Sequence, residues 1–185
     1  MCRKVGESLK SSTRVSSKRA EGLLSAISVG VFFLVVGAIF VVNSPAGQTN
    51  LLDRIIAFFQ DFNIRRVPNS GVYLPAPAYP LAHSIVYVAA QQFSLVWGLF
   101  QIVILAFRFV VGSQLTKKAE TVSNIVFWIG GSFFISNFLL DTSWLAFWSA
   151  ITLWFVYWSL ILVLLGSSFI VRAIIIAIAS KRPAI

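Results

Sequence analysis

The side chains able to do acid–base, nucleophilic or metal chemistry are few in this sequence: one cysteine, Cys2, one histidine, His83, and six acidic residues. A lone Cys and a lone His exclude an internal disulfide, a Cys/His zinc site and bis-histidine haem ligation. Glu7, Glu21, Asp53, Asp61, Glu120 and Asp141 all fall outside the long apolar blocks, so no carboxylate is placed for an intramembrane proton relay. Paired carboxylates at catalytic spacing and glycine-rich phosphate loops are absent. His83 has no Ser, Cys or Asp at motif spacing and reads as structural. The sequence predicts no catalytic residue, no metal and no cofactor.

Two stripes at helical spacing remain as candidate sites. His83, Tyr87, Gln91, Ser94 and Gln101, with Ala90, Gly98 and Arg108, project onto an arc of about 100° of one helix. Polar groups aligned in this way face protein or water, not lipid. The stripe either lines a path for a small polar solute or pairs with Asn124, Ser132, Ser136 and Asn137 of the next helix. Interhelical bonds of this kind are worth about 0.6 kcal/mol on average, so their presence does not demand transport, and the pairing reading is preferred. The second stripe is aromatic. Trp144, Phe147, Trp148, Trp154, Phe155 and Trp158 fall on an arc of about 120° of the fourth span. Trp144 and Trp148 suit an interfacial belt, while Trp154 and Trp158 lie deeper, where they would pack in the bundle or face a lipid tail or a partner.

The elements that carry these stripes follow from composition. In 185 residues, 58% are hydrophobic and 11% charged, and the mean hydropathy is +0.86, which suits a bilayer and not water. The apolar residues come in blocks long enough to cross about 30 Å of hydrocarbon as helix. The expected fold is all-α, a four-helix transmembrane bundle with spans at about 22–42, 82–107, 122–140 and 144–165, the last extended to about 179. The final apolar block, 144–179, would be about 54 Å long as one helix, so it overshoots a single crossing. Two crossings would leave too few residues after Gly166-Ser167-Ser168 for the second. In the first span, Ala26, Gly30 and Gly37 fall within about 40° of one another and form a groove of small residues that admits another helix. Ser44-Pro45-Ala46 has the small residues of a leader-cleavage site, but the segment reads as a retained signal anchor.

Between the first two spans, residues 43–80 hold five of the six prolines and cannot be one regular element. Within them, 51–62 places Leu51, Leu52, Ile55, Ile56, Phe58, Phe59 and Phe62 on one face, and Asp53, Arg54, Gln60 and Asp61 opposite, as in a short amphipathic helix lying flat, either in the outer interface or across the ends of the spanning helices. The segment after it reads as an extended structure turning at Asn69-Ser70-Gly71. Residues 1–21, rich in Lys, Arg, Ser and Thr, read as a flexible basic tail. The formal charge of +9 sits in the segments between spans, where it sets orientation, so nucleic acid is not an expected partner. Twelve Lys and Arg lie on the side of the two termini against only Arg54, Arg65 and Arg66 on the other. The positive-inside rule therefore predicts N-in and C-in, with 43–80 outside.

The stretches VPNSGVYLPAPAYP, VYVAAQQFSLVWGLFQIVILAFRF and KKAETVSNIVFWIGGSFFIS resemble an uncharacterised family of small archaeal multi-span membrane proteins. The resemblance implies a multi-pass protein of the cell (plasma) membrane and brings no activity with it. Taken together, the residues suggest a non-enzymatic membrane protein acting by association, as an accessory subunit or a homo-oligomer, with membrane lipids and other subunits or copies as partners. The alternative is a small channel or carrier for a polar solute or ion along the Gln91/Gln101 stripe.

Overall fold

The computed structural model describes residues 2–44 and 49–180, with side chains from residue 21. Its elements are α1 (Cys2–Val42), α2 (Leu51–Gln60), β1 (Phe62–Arg66), β2 (Tyr73–Pro77), a 3-10 turn (Pro80–His83), α3 (Ser84–Val110), α4 (Leu115–Phe134), a π-helical turn (Ile135–Leu140), a second 3-10 turn (Thr142–Ala146) and α5 (Ala150–Ser180). Four helical stretches are long and apolar enough to cross a membrane: Glu21–Val42, Pro80–Val110, Leu115–Leu140 and Ala150–Ala179. The architecture is thus helical, as expected, with one small β-hairpin added. Pro45 and Ala46 of the leader-like sequence, and the side chains of the basic tail, lie outside the described residues.

α3, α4 and α5 form the packed unit. Their contacts run antiparallel, with Ser132 Oγ donating to the Gln91 carbonyl at 3.3 Å and Ser123 Oγ donating to the Ser168 carbonyl at 2.8 Å. α3 and α4 come close together at Gly98: a Cβ there would lie 2.7 Å from Ile129 Cγ1 and 3.2 Å from the Ile129 backbone nitrogen. Gly130 accepts α5 in the same way, although there the neighbour is the flexible end of Leu164. α1 packs chiefly on α3, along a single face of Leu24, Ser28, Val31, Val35, Ile39 and Asn43, and none of its most apolar window is buried. Phe32 packs edge-on against Phe93 and Trp97, and Asn43 Nδ2 donates to Gln92 Oε1 at 2.8 Å.

Three boundaries differ from those expected. The helical backbone of α1 begins at Cys2, where composition suggests a flexible tail; the span supplies the costly nucleus, and each further residue needs only propagation. α2 ends at Gln60, so Phe62 belongs to the hairpin and not to the amphipathic helix. The last helix starts at Ala150, not at Trp144. Ser149 explains that shift: its Oγ accepts the Thr152 N–H at 3.2 Å, an N-cap placed inside an apolar block. Upstream, the Asp141 carboxylate accepts the Ser143 N–H at 2.8 Å and caps the 3-10 turn, which holds its pKa below the ordinary 3.8. α5 is nonetheless overlong, continuing unbroken through Gly166-Ser167-Ser168 to Ser180.

The segment 62–77 is an antiparallel hairpin, registered Phe62 to Pro77 and Arg66 to Tyr73. Its turn is Val67-Pro68-Asn69-Ser70, closed by the Ser70 N–H to Val67 carbonyl bond at 3.2 Å, with Asn69 at φ 58°. Pro at the second position and a left-handed Asn at the third are what a type II turn requires. Pro75 and Pro77 are tolerated because a two-stranded sheet has only edge strands. The hairpin, α2 and the first 3-10 turn together form a platform at the end of the bundle where α3 and α5 begin.

The two glycine contacts should respond differently to a methyl group. Gly98→Ala meets backbone and should lower stability by about 1–3 kcal/mol, whereas Gly130→Ala meets a side-chain end that can turn aside and should cost less. Thermal unfolding in detergent checks the order; equal losses would show that α3 and α4 are not held this closely.

Candidate functional site at the platform end

The platform is joined to the bundle through Asp61, the residue between α2 and β1. Its carboxylate accepts the Tyr79 N–H at 2.8 Å and lies 3.0 Å from His83 Nε2, while its backbone carbonyl accepts the Ala78 N–H at 2.9 Å. One residue thus fixes where the chain leaves α2 and where it re-enters at α3. The Tyr79 N–H, and after it the hydrogen bond and charge of His83, hold the Asp61 carboxyl below its ordinary pKa of 3.8.

Beneath this junction lies an aromatic cluster. Phe58 of α2 meets the rings of His83, Tyr87, Phe62 and Trp154 edge-on at centroid distances of 5.0–6.0 Å. Edge-to-face pairs at this separation add about 0.5–1.5 kcal/mol each beyond burial. Trp154 is the hub, 3% exposed and also in contact with Tyr157 and Trp158. Tyr87 is equally buried, and its hydroxyl has no hydrogen-bond partner among the described residues. Beside the cluster, between the hairpin and α5, an open cleft of about 270 Å³ is lined by Phe62, Leu74, Pro75, Trp154, Phe155 and Trp158.

The structure divides both stripes. Of the polar one, His83 and Tyr87 join the platform cluster. Gln91 is half-buried and contributes only its backbone carbonyl, to Ser132, while Ser94 is buried and Gln101 half-buried. Asn124 is exposed, and Asn137 donates to the Phe133 carbonyl of its own helix at 2.8 Å. Of the aromatic stripe, Trp154, Phe155 and Trp158 stay together at the cleft. Trp144 lies on the 3-10 turn and stacks on Phe138 at 6.4 Å, and Phe147 and Trp148 are exposed in the link before α5. The single arc drawn through all six fails because Ser149 starts a new helix.

Three polar contacts escaped sequence reasoning. Asp61 and His83 are 22 positions apart and meet only because the hairpin returns the chain. Asn43 to Gln92 joins the end of α1 to the first half of α3, a contact for which no local pattern exists. At the opposite end, Arg108 donates to the Lys117 carbonyl and the Thr121 hydroxyl, pinning the turn between α3 and α4; a cation at the end of an apolar block was the only signal. Among the described residues no group of three or more His, Cys, Asp or Glu is arranged to hold a metal ion. Fold and site together describe a small helical protein with four candidate membrane spans and a β-hairpin platform. Comparison with protein-family models, curated proteins and solved structures finds no match.

Asp61→Asn should loosen the hairpin. Trypsin cleavage after Arg65 and Arg66 is expected to rise about two- to fivefold, the worth of a solvent-screened ion contact; unchanged cleavage would show that the hairpin is held elsewhere. The pH dependence has a fixed sign. Because the folded pKa of Asp61 lies below 3.8, its contribution is complete above that pH and is lost as the pH falls through the folded value.

Proposed function

We propose that the chain is a non-enzymatic, multi-pass protein of the cell membrane that works by association through α1, with a second copy of itself as the first partner. The observation that carries this is the orientation of α1. Its bundle-facing residues, Leu24 to Asn43, occupy one side, and Ala26, Gly30 and Gly37 occupy the opposite side, where a Cβ on either glycine meets nothing within 4 Å. Ala26 and Gly30 stand four apart, the small-xxx-small spacing that lets helix backbones approach in lipid. Helices in hydrocarbon associate through such shape, since apolar burial offers no gain there.

The charge distribution supports N-in and C-in, with the platform outside. A channel or carrier along Gln91 and Gln101 has less support, because Gly98, between them, is closely covered by Ile129 of α4. A path there would have to part that close contact.

The open space around Gly30 and Gly37 makes the test clean, because Gly30→Leu and Gly37→Leu leave the single chain undisturbed. In lipid nanodiscs, mass measurement of the full chain is expected to give a dimer that each variant weakens about tenfold, or about 1.4 kcal/mol. A wild-type chain that is monomeric and free of other proteins, or variants that dimerise unchanged, would overturn the proposal. Co-purification of a different membrane protein, lost in the variants, would assign the groove to a heterologous subunit instead.

A further inference from the structure

We infer that the cleft between the hairpin and α5 is a binding site for one phospholipid of the adjoining leaflet, with an acyl or isoprenoid chain in the cleft and an anionic phosphate headgroup at Arg65. Depth is the first argument. Trp154 and Trp158 form the α5 wall four and eight residues past Ala150, so the cleft begins about 6 Å and reaches about 12 Å below the helix start. That is the level at which headgroups give way to chains. The opposite wall is not a membrane span but the hairpin, through Leu74 and Pro75. The cleft is therefore an open, apolar one between a candidate span and the hairpin.

Size is the second argument. At about 270 Å³ the cleft is smaller than the roughly 300–1,000 Å³ of sites that enclose a drug-sized molecule, and smaller than one turn of a helix, roughly 420–610 Å³ for a cylinder 10–12 Å across and 5.4 Å long. It takes part of a chain whose remainder lies in the bilayer, and a protein helix does not fit.

Charge is the third. Arg65 is the cross-strand partner of Leu74, on the same face of the hairpin, and facing side chains in such pairs stand about 5 Å apart. Its guanidinium has no hydrogen bond or ion pair with any described residue, unlike Arg66, whose Nε donates to the Ser70 carbonyl at 2.8 Å. The nearest acid along the hairpin, Asp61, is already engaged by Tyr79 and His83. A free guanidinium on the residue paired with a lining residue of an apolar cleft complements one molecule with a phosphate and a chain. Arginine also binds phosphate in a bidentate fashion that lysine does not.

The test is lipid retention by the full chain from nanodiscs containing equal phosphatidylglycerol and phosphatidylcholine, read by native mass spectrometry. The wild type should retain one phosphatidylglycerol in preference to phosphatidylcholine. Arg65→Gln should keep the chain bound but lower that preference about fivefold, the value of one cation at an anionic surface. Arg65→Lys should restore part of it. Leu74→Trp places a bulky ring at a half-exposed position, fills the cleft without entering the core, and should abolish retention of either lipid. Equal retention of both lipids by the wild type, or retention unchanged in Leu74→Trp, would overturn the inference, as would a peptide or protein in place of the lipid. Because the cleft and the α1 groove lie on different helices, Arg65→Gln should leave the oligomeric state unchanged, so the two proposals fail separately.

Discussion

Everything in this fold depends on how closely α3, α4 and α5 can approach one another. In water, burying leucines would draw helices together at about 25 cal/mol per Å². With the four candidate spans in lipid, whose chains are as apolar as leucine, that drive would disappear, and shape with a few hydrogen bonds would have to replace it. The bundle meets this requirement with small residues at its crossings. Gly98 receives Ile129, Gly130 lies under Leu164, and Ser123 and Ser132 reach carbonyls of neighbouring helices. The bonds are individually weak, and they matter because a polar group left unpaired between helices would cost more than the pair contributes.

The same physics explains why α1 stands apart. Its α3-facing side carries Val31, Val35 and Ile39, β-branched residues that keep backbones separated, and it is held by ring contacts at Phe32 and the Asn43–Gln92 bond. The small residues of α1 are on the other side. Glycine thus appears in two roles within one chain. At Gly98 the space is already filled, and at Gly30 and Gly37 it is empty. No local sequence feature separates the two cases; only the three-dimensional neighbours do.

What could be read from sequence was whatever depends on local composition. Four long apolar blocks become four candidate spans, the LLDRIIAFFQ periodicity becomes α2, and Pro68-Asn69 lies within one or two positions of the expected turn. Boundaries decided by one side chain were not legible. Ser149 lies among Phe, Trp, Ala and Ile, so hydropathy runs through it while its hydroxyl caps a new helix. This one cap removes Trp144, Phe147 and Trp148 from the helix that carries Trp154 and Trp158. The candidate site was half legible for a related reason. The cleft's α5 wall was visible as an aromatic stripe, but its opposite wall, Leu74 and Pro75, comes from a segment that reads only as extended and turn-rich.

The hairpin itself shows how an irregular, proline-rich loop can be an ordered wall. Backbone polar groups near hydrocarbon must be paired, and prolines at 75 and 77 have no N–H to pair. The remaining groups at the hairpin base are taken up by the ladder and by Asp61, which receives both the Ala78 and Tyr79 N–H groups. With its base so satisfied, Ala76 can be fully buried while the strand direction carries the chain outward to Arg65, Arg66 and Tyr73. Polarity then rises along the hairpin, from Phe62 and Pro77 at the aromatic cluster to two guanidiniums near the turn.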